Sequence, residues 1–122
     1  GQWVEGLWEE DVAELFICDP NTGRYQELNL SPDGAWWSSV FSTYRKRVPL
    51  TGAPSPRIDV NGREVTLRVR LNELGVSLAN AKGNVSAILA GNYLSWTKAL
   101  LEPTPDFHRT EQFVALSLIP TL

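Results

Sequence analysis

From Ile58 to Leu71 the chain carries a pattern that no helix can satisfy. Ile58-Asp59-Val60 leads into Asn61-Gly62, after which Val65, Leu67, Val69 and Leu71 alternate with Thr66, Arg68 and Arg70. Asn-Gly suits a two-residue hairpin turn, and strict alternation sends apolar side chains to one side of a strand and polar ones to the other. The same period of two recurs elsewhere, while helical spacing hardly appears. Asp11–Cys18, Arg24–Leu30 and Trp36–Tyr44 read as strands, separated by Asp19-Pro20-Asn21-Thr22-Gly23 and Ser31-Pro32-Asp33-Gly34, both rich in turn formers. Val85–Ala90, Tyr93–Thr97 and Gln112–Leu118 follow. Pro49 to Pro56 reads as a loop or exposed edge, Asn72–Leu78 as a short helical turn, Asn80–Gly83 as a loop, and Glu102 to Asp106 as an extended connection. About eight short strands without a long helix predict an all-β, antiparallel β-sandwich.

At 122 residues the chain is long enough for one domain, residues 1–122, burying about two-thirds of its unfolded surface. A net charge of −3 argues against nucleic acid as the main partner, since the basic run Tyr44-Arg45-Lys46-Arg47 is too short to build a groove. No apolar stretch approaches the ~20 residues of a membrane span, so no membrane partner is expected. The lone Cys18 excludes an intramolecular disulfide and reads as a small core residue. Methionine is absent, which predicts that translation did not begin at Gly1; processing, or a Gly1 left by cloning, would each explain it.

Several residues stand out as candidates for binding. In an extended segment Tyr25, Glu27 and Asn29 share one sheet face, combining a ring, a carboxylate and an amide. A solvated polar face is the plainer account of them. Trp8, flanked by acidic residues, is placed to stack on a ligand or to pack at an edge. Glu14 sits inside an apolar run, where a carboxylate needs a partner: a ligand, or one of Arg45, Arg68 and Arg70. Trp36 and Trp37 point to opposite sides. Trp37 is expected inward with Phe41, and Trp36 outward, lining the polar face with Tyr44.

Four places resemble the bacterial DOMON-like proteins related to family 9 carbohydrate-binding modules. These are Leu7-Trp8 with Asp11 and Glu14; Glu27-Leu28-Asn29-Leu30-Ser31-Pro32; Phe41 to Arg45; and Pro105-Asp106-Phe107-His108 before Phe113. The resemblance implies an immunoglobulin-like sandwich in which two tryptophans clasp a sugar ring. Trp8 and Glu14 match the family's six-residue spacing, and Trp96, preceded by Asn92 and Tyr93, falls where the second tryptophan is expected. Glu14, Asn29 and Arg45 would then bond hydroxyls. Relatives carry strands ahead of the Leu7-Trp8 region, so the sandwich is expected to lack its N-terminal strands and to cover the open edge as a homodimer or by strand exchange.

Other chemistry is poorly supplied. His108 is the only histidine, too few with one cysteine for a zinc site, and a Met/His haem lacks its methionine. The ring of His108 is expected to be bonded within the Asp106–Arg109 corner. No cofactor is expected; structural calcium has only Asp19 and Asn21, or Asp33, to hold it, and these fit turns as well. Glu14 and Glu27, on neighbouring strands, are the one glycosidase-like pair, and no nucleophile triad or phosphate loop appears. The reading is a non-catalytic carbohydrate-binding domain, not an enzyme, that stacks sugars on exposed tryptophans. The alternative is an assembly domain whose tryptophans bury at a subunit interface.

Overall fold

The computed structural model of the chain describes residues 2–49 and 54–116. Nine strands are present among the described residues: β1 (Val12–Cys18), β2 (Tyr25–Leu30), β3 (Trp36–Thr43), β4 (Lys46–Val48), β5 (Arg57–Asn61), β6 (Glu64–Arg68), β7 (Lys82–Leu89), β8 (Asn92–Ser95) and β9 (Val114–Ala115). Seven of them form one antiparallel sheet in the order β4-β3-β2-β1-β7-β8, with β9 beside β7. The other two, β5 and β6, make the hairpin that the Asn-Gly turn predicts, with Asn61 opposite Glu64. The architecture is all-β, antiparallel and sandwich-like, with only short 3-10 turns for helix among the described residues.

Both faces of the large sheet are covered, which explains why β2 is buried almost throughout. Tyr25, Glu27 and Asn29 share their face with Phe16 and Trp37, and the segments around Leu7 and from Leu100 to Phe113 lie over it. Ile17, Leu28 and Val40 occupy the other face beneath Val76 and Ala81. There Gln26, fully buried, donates from Nε2 to the Ser38 hydroxyl at 3.0 Å and accepts the Gly75 N–H at 2.8 Å, tying that cover to the sheet. A Cβ on Gly75 would stand 2.6 Å from Cγ2 of Val40, so only glycine permits this approach.

Several expectations shift. β6 ends at Arg68 and a 3-10 turn occupies Leu71–Glu73, shorter than the alternation to Leu71 suggests. Lys82 and Gly83, read as loop, begin β7, where they pair with β9. Lys46–Val48 forms a short strand that returns beside β3 after a register shift between Phe41 and Thr43. The N-terminal segment bonds alongside the start of β3, with the Trp36 N–H donating to the Gln2 carbonyl and the Val4 N–H to the Trp36 carbonyl, both at 2.9 Å. Residues 50–53 of the predicted loop and 117–118 of the last predicted strand lie outside the described residues.

Candidate binding pocket on the sheet

The pocket grows from a polar strip that crosses four strands. In register, Glu14 of β1 lies opposite Asn29 of β2 and Ser86 of β7, and Asn29 lies opposite Trp37 of β3. One pair along, Phe16 lies opposite Glu27 and Asn84. Antiparallel neighbours on one face approach to about 5 Å, so these side chains necessarily interact. Over the strip opens a cavity of about 350 Å³, walled by Trp8, Trp37, Phe41, Tyr93 and Phe107 and reaching Glu14, Glu27 and His108. Arg45 and Arg47 stand at its rim.

The two glutamates are 4% and 3% exposed. Their carboxyls are hydrogen-bonded to each other, with Ser86 Oγ a further 3.4 Å contact of Glu14. Among the described residues no Lys or Arg nitrogen lies within ion-pair distance of either. Burial pushes both acids up. Glu27, raised further by its bond to Glu14 and the charge there, reaches about 9. Two carboxyls this close cannot both ionise, so at neutral pH they hold a proton between them.

Beside them Asn29 is fully buried. Its amide is near enough to Glu27 to favour the ionised carboxylate slightly, yet neither amide atom reaches a partner in good geometry among the described residues. An unbonded buried amide costs about 1–3 kcal/mol.

His108 is held by a relay. Tyr25 Oη accepts the Arg45 N–H at 2.8 Å, which leaves its own proton for His108 Nδ1, also at 2.8 Å. The imidazole therefore carries its proton on Nε2, which faces Glu27 Oε2 at 3.5 Å. Burial, then the charge of Arg45, lowers His108 to about 4. The contact joins neutral groups and is not an ion pair. The ring bonds Tyr25 rather than its own corner, where only the His108 backbone N–H reaches Asp106. Burial also lifts the Tyr25 phenol to about 12, keeping it a donor.

The rim arginines are already paired. Arg45 meets Asp106 at 3.1 Å, and Arg47 meets Glu5 at 2.8 Å. Arg47 also lies over Trp37 and Trp8, 4.8 and 5.4 Å from the ring centroids. Glu5 accepts the Trp37 indole N–H at 2.7 Å, and that bond first, then Arg47, outweighs partial burial to hold its carboxyl low.

Of the residues the sequence singled out, Trp8, Glu14, Glu27 and Arg45 line the cavity, and Tyr25 and Asn29 stand behind it. Four do not join it. Trp36 is buried, not outward, and packs edge-on against Trp3 with centroids 4.9 Å apart. Trp37 is buried with Phe41 as expected, on the face that also carries Glu27 and Asn29, with Trp8 set edge-on to it at 4.9 Å. Tyr44 stays outside, donating to Asp106 and lying under Arg45. Asn92 and Trp96 alternate away from the pocket, because Tyr93, opposite Ile88, is the β8 residue that faces it. Glu14 meets none of Arg45, Arg68 and Arg70; Arg68 serves Asp59. The Tyr25–Glu27–Asn29 face is buried rather than solvated.

Phe16, Trp37, Phe41, Arg47, Tyr93, Phe107 and His108 are among the pocket residues not foreseen as site residues. The parity of Trp37 with Asn29 across the Ser31–Ala35 turn was the readable signal for the second indole. Asp19 and Asp33 spend their carboxylate oxygens on their own turns, Asp19 on the Asn21 N–H and the Thr22 hydroxyl, Asp33 on Ser31 and Ala35. No group of three acidic, histidine or cysteine side chains is clustered to hold a metal among the described residues.

No protein-family model, curated protein or solved structure matches this chain. The resemblance to DOMON-like domains thus rests on four short stretches of sequence, and the pocket has to be read from its own chemistry.

Proposed function

We propose that the chain is a non-catalytic carbohydrate-binding domain of DOMON-like type that takes one sugar ring in the pocket above Glu14, Glu27 and Asn29. The carrying observation is a cavity with aromatic walls that reaches two buried carboxyls, Glu14 and Glu27. Indole and phenyl faces suit the CH-rich side of a pyranose, and the acids suit its hydroxyls. At about 350 Å³ the cavity lies near the lower end of the roughly 300–1,000 Å³ usual for small-molecule sites, which favours a single ring over a long chain. Binding rather than hydrolysis is favoured because the glutamates bond to each other, whereas a retaining glycosidase keeps its carboxyls about 5 Å apart with the sugar between them. Calorimetry against a panel of monosaccharides tests the reading. Trp8→Ala should abolish measurable binding while the circular dichroism stays native, and Trp96→Ala should leave affinity unchanged. Equal affinity of Trp8→Ala and the parent protein would remove the stacking role.

A second reading, assembly through a homodimer, draws on the outer face of β8. Leu94 and Trp96 are 53% and 48% exposed there, beside an edge strand. Light scattering over a concentration series separates the two: association lost in Trp96→Ala supports assembly.

A further inference from the structure

The floor of the pocket has a charge problem that a neutral sugar does not solve. Two buried carboxyls holding one proton between them carry a net negative charge; the side chains in contact with them, Ser86 and the His108 imidazole, are neutral, and Arg47 acts on Glu27 only from beyond ion-pair distance. The two cations at the rim are already matched. Arg45, on the β3–β4 turn, is taken by Asp106 of the C-terminal segment, and Arg47 of β4 is taken by Glu5 of the N-terminal segment. Tyr25 keeps its proton for the histidine. A buried charge without a partner is expensive, and the usual remedy is an opposite charge brought into contact.

The walls point the same way. The ring faces of Trp8 and Trp37 already carry one cation, the Arg47 guanidinium, at their outer side. Phe41, Tyr93 and Phe107 enclose the remaining sides of the cavity. A box of aromatic rings closed by an acid is how proteins recognise alkylammonium groups, because the negative faces of the rings attract the cation.

We infer that the pocket's ligand carries an ammonium group, an amino sugar or a similar cyclic amine, seated over Glu14 and Glu27. The inference rests on the sugar-binding reading for the ring and adds the charge. The ammonium donates to the two carboxyl groups, and the proton they shared is released as the second carboxyl ionises beside the new cation.

Glucosamine, glucose and cyclohexylamine, titrated calorimetrically into the full chain at pH 7 in two buffers of different ionisation heat, test this. Glucosamine should bind at least roughly tenfold more tightly than glucose, releasing up to about one proton per site. Glu27→Gln, close to isosteric with the protonated acid, should fold normally, lose the preference for glucosamine over glucose and release no proton. Glucose binding as tightly as glucosamine overturns the ammonium and leaves the sugar reading standing. Cyclohexylamine binding with neither sugar bound supports the counter-charge and overturns the sugar reading. Failure of all three to bind overturns both.

Discussion

Replacing Glu27 by glutamine should make the protein more stable, and by an amount that depends on pH. Glu27 is 3% exposed and its carboxyl is raised from an ordinary 4.5 to about 9, chiefly by burial and then by Glu14. Because the native state holds this proton more tightly than the unfolded chain, its contribution is complete below pH 4.5 and is lost as pH climbs towards 9. Between its ordinary value and pH 7 lie about 2.5 units at about 1.4 kcal/mol each, so the wild-type fold forgoes about 3 kcal/mol at neutral pH. The substituted amide keeps the shape and a donor for Glu14 but cannot titrate. The two proteins should therefore match within about 1 kcal/mol at pH 4 and diverge to about 3 kcal/mol at pH 7, with Glu27→Gln the more stable. Urea unfolding at pH 4, 5.5, 7 and 8 with tryptophan fluorescence measures the gap. A constant offset at every pH would show that Glu27 ionises in the fold as it does in the open chain, and the shared-proton account would go with it.

Three further outcomes follow from the same geometry. His108, the sole histidine, should titrate near 4 in a proton–nitrogen correlation spectrum, with the neutral ring protonated on Nε2; a value of 6 to 7 would contradict its burial. Its lowered value means that stability held above pH 6.5 is lost as pH falls towards 4, opposite in sense to Glu27. Tyr25→Phe removes the acceptor of the Arg45 N–H and the donor to His108 together, and should cost about 1–3 kcal/mol in urea unfolding. Gly75→Ala drives a methyl to 2.6 Å from Val40 and should lower stability by about 1–3 kcal/mol, a loss relieved in Gly75→Ala with Val40→Ala relative to Val40→Ala alone.

Strand positions were legible because alternation and turn chemistry are local. Asn61-Gly62 fixes its hairpin without help from the rest of the chain. What alternation cannot state is which face a strand turns to solvent, and here neither face does. The covers are a Leu7–Glu9 turn, the stretch from Leu100 to Phe113 and the segment around Val76, all short or irregular and without a period to read. Trp36 and Trp37 do lie on opposite faces, but with both faces covered the pattern could not choose the pocket. Tyr93 against Asn92 and Trp96 is the same difficulty: a shift of one residue moves every side chain across the sheet. β4 is three residues long and follows a bulge, so nothing in the sequence placed Arg47 over Trp8 and Trp37.

The position of the polar strip is the strongest reason to assign it to binding rather than folding. On the same face β1 supplies Val12, Phe16 and Cys18, all buried among apolar neighbours, so the sheet can support an ordinary core there. The polar strip on that face centres on Glu14, Glu27 and Asn29, with Ser39, Asn84 and Ser86 beside them in register, and the cavity reaches the two acids. Two other buried amides are fully engaged: Asn84 bonds Ser95 and the Thr97 N–H, and Gln26 bonds Ser38 and Gly75, while Thr97 Oγ1 and Arg109 Nε share with Asn29 the lack of a partner among the described residues. Apolar residues of similar volume at the two glutamates would commonly be neutral or stabilising. Burying an acid pair without a cation within ion-pair distance among the described residues, beneath aromatic walls, costs stability, and the proposed binding function gives that cost a purpose: a ligand shaped to those walls would offset it.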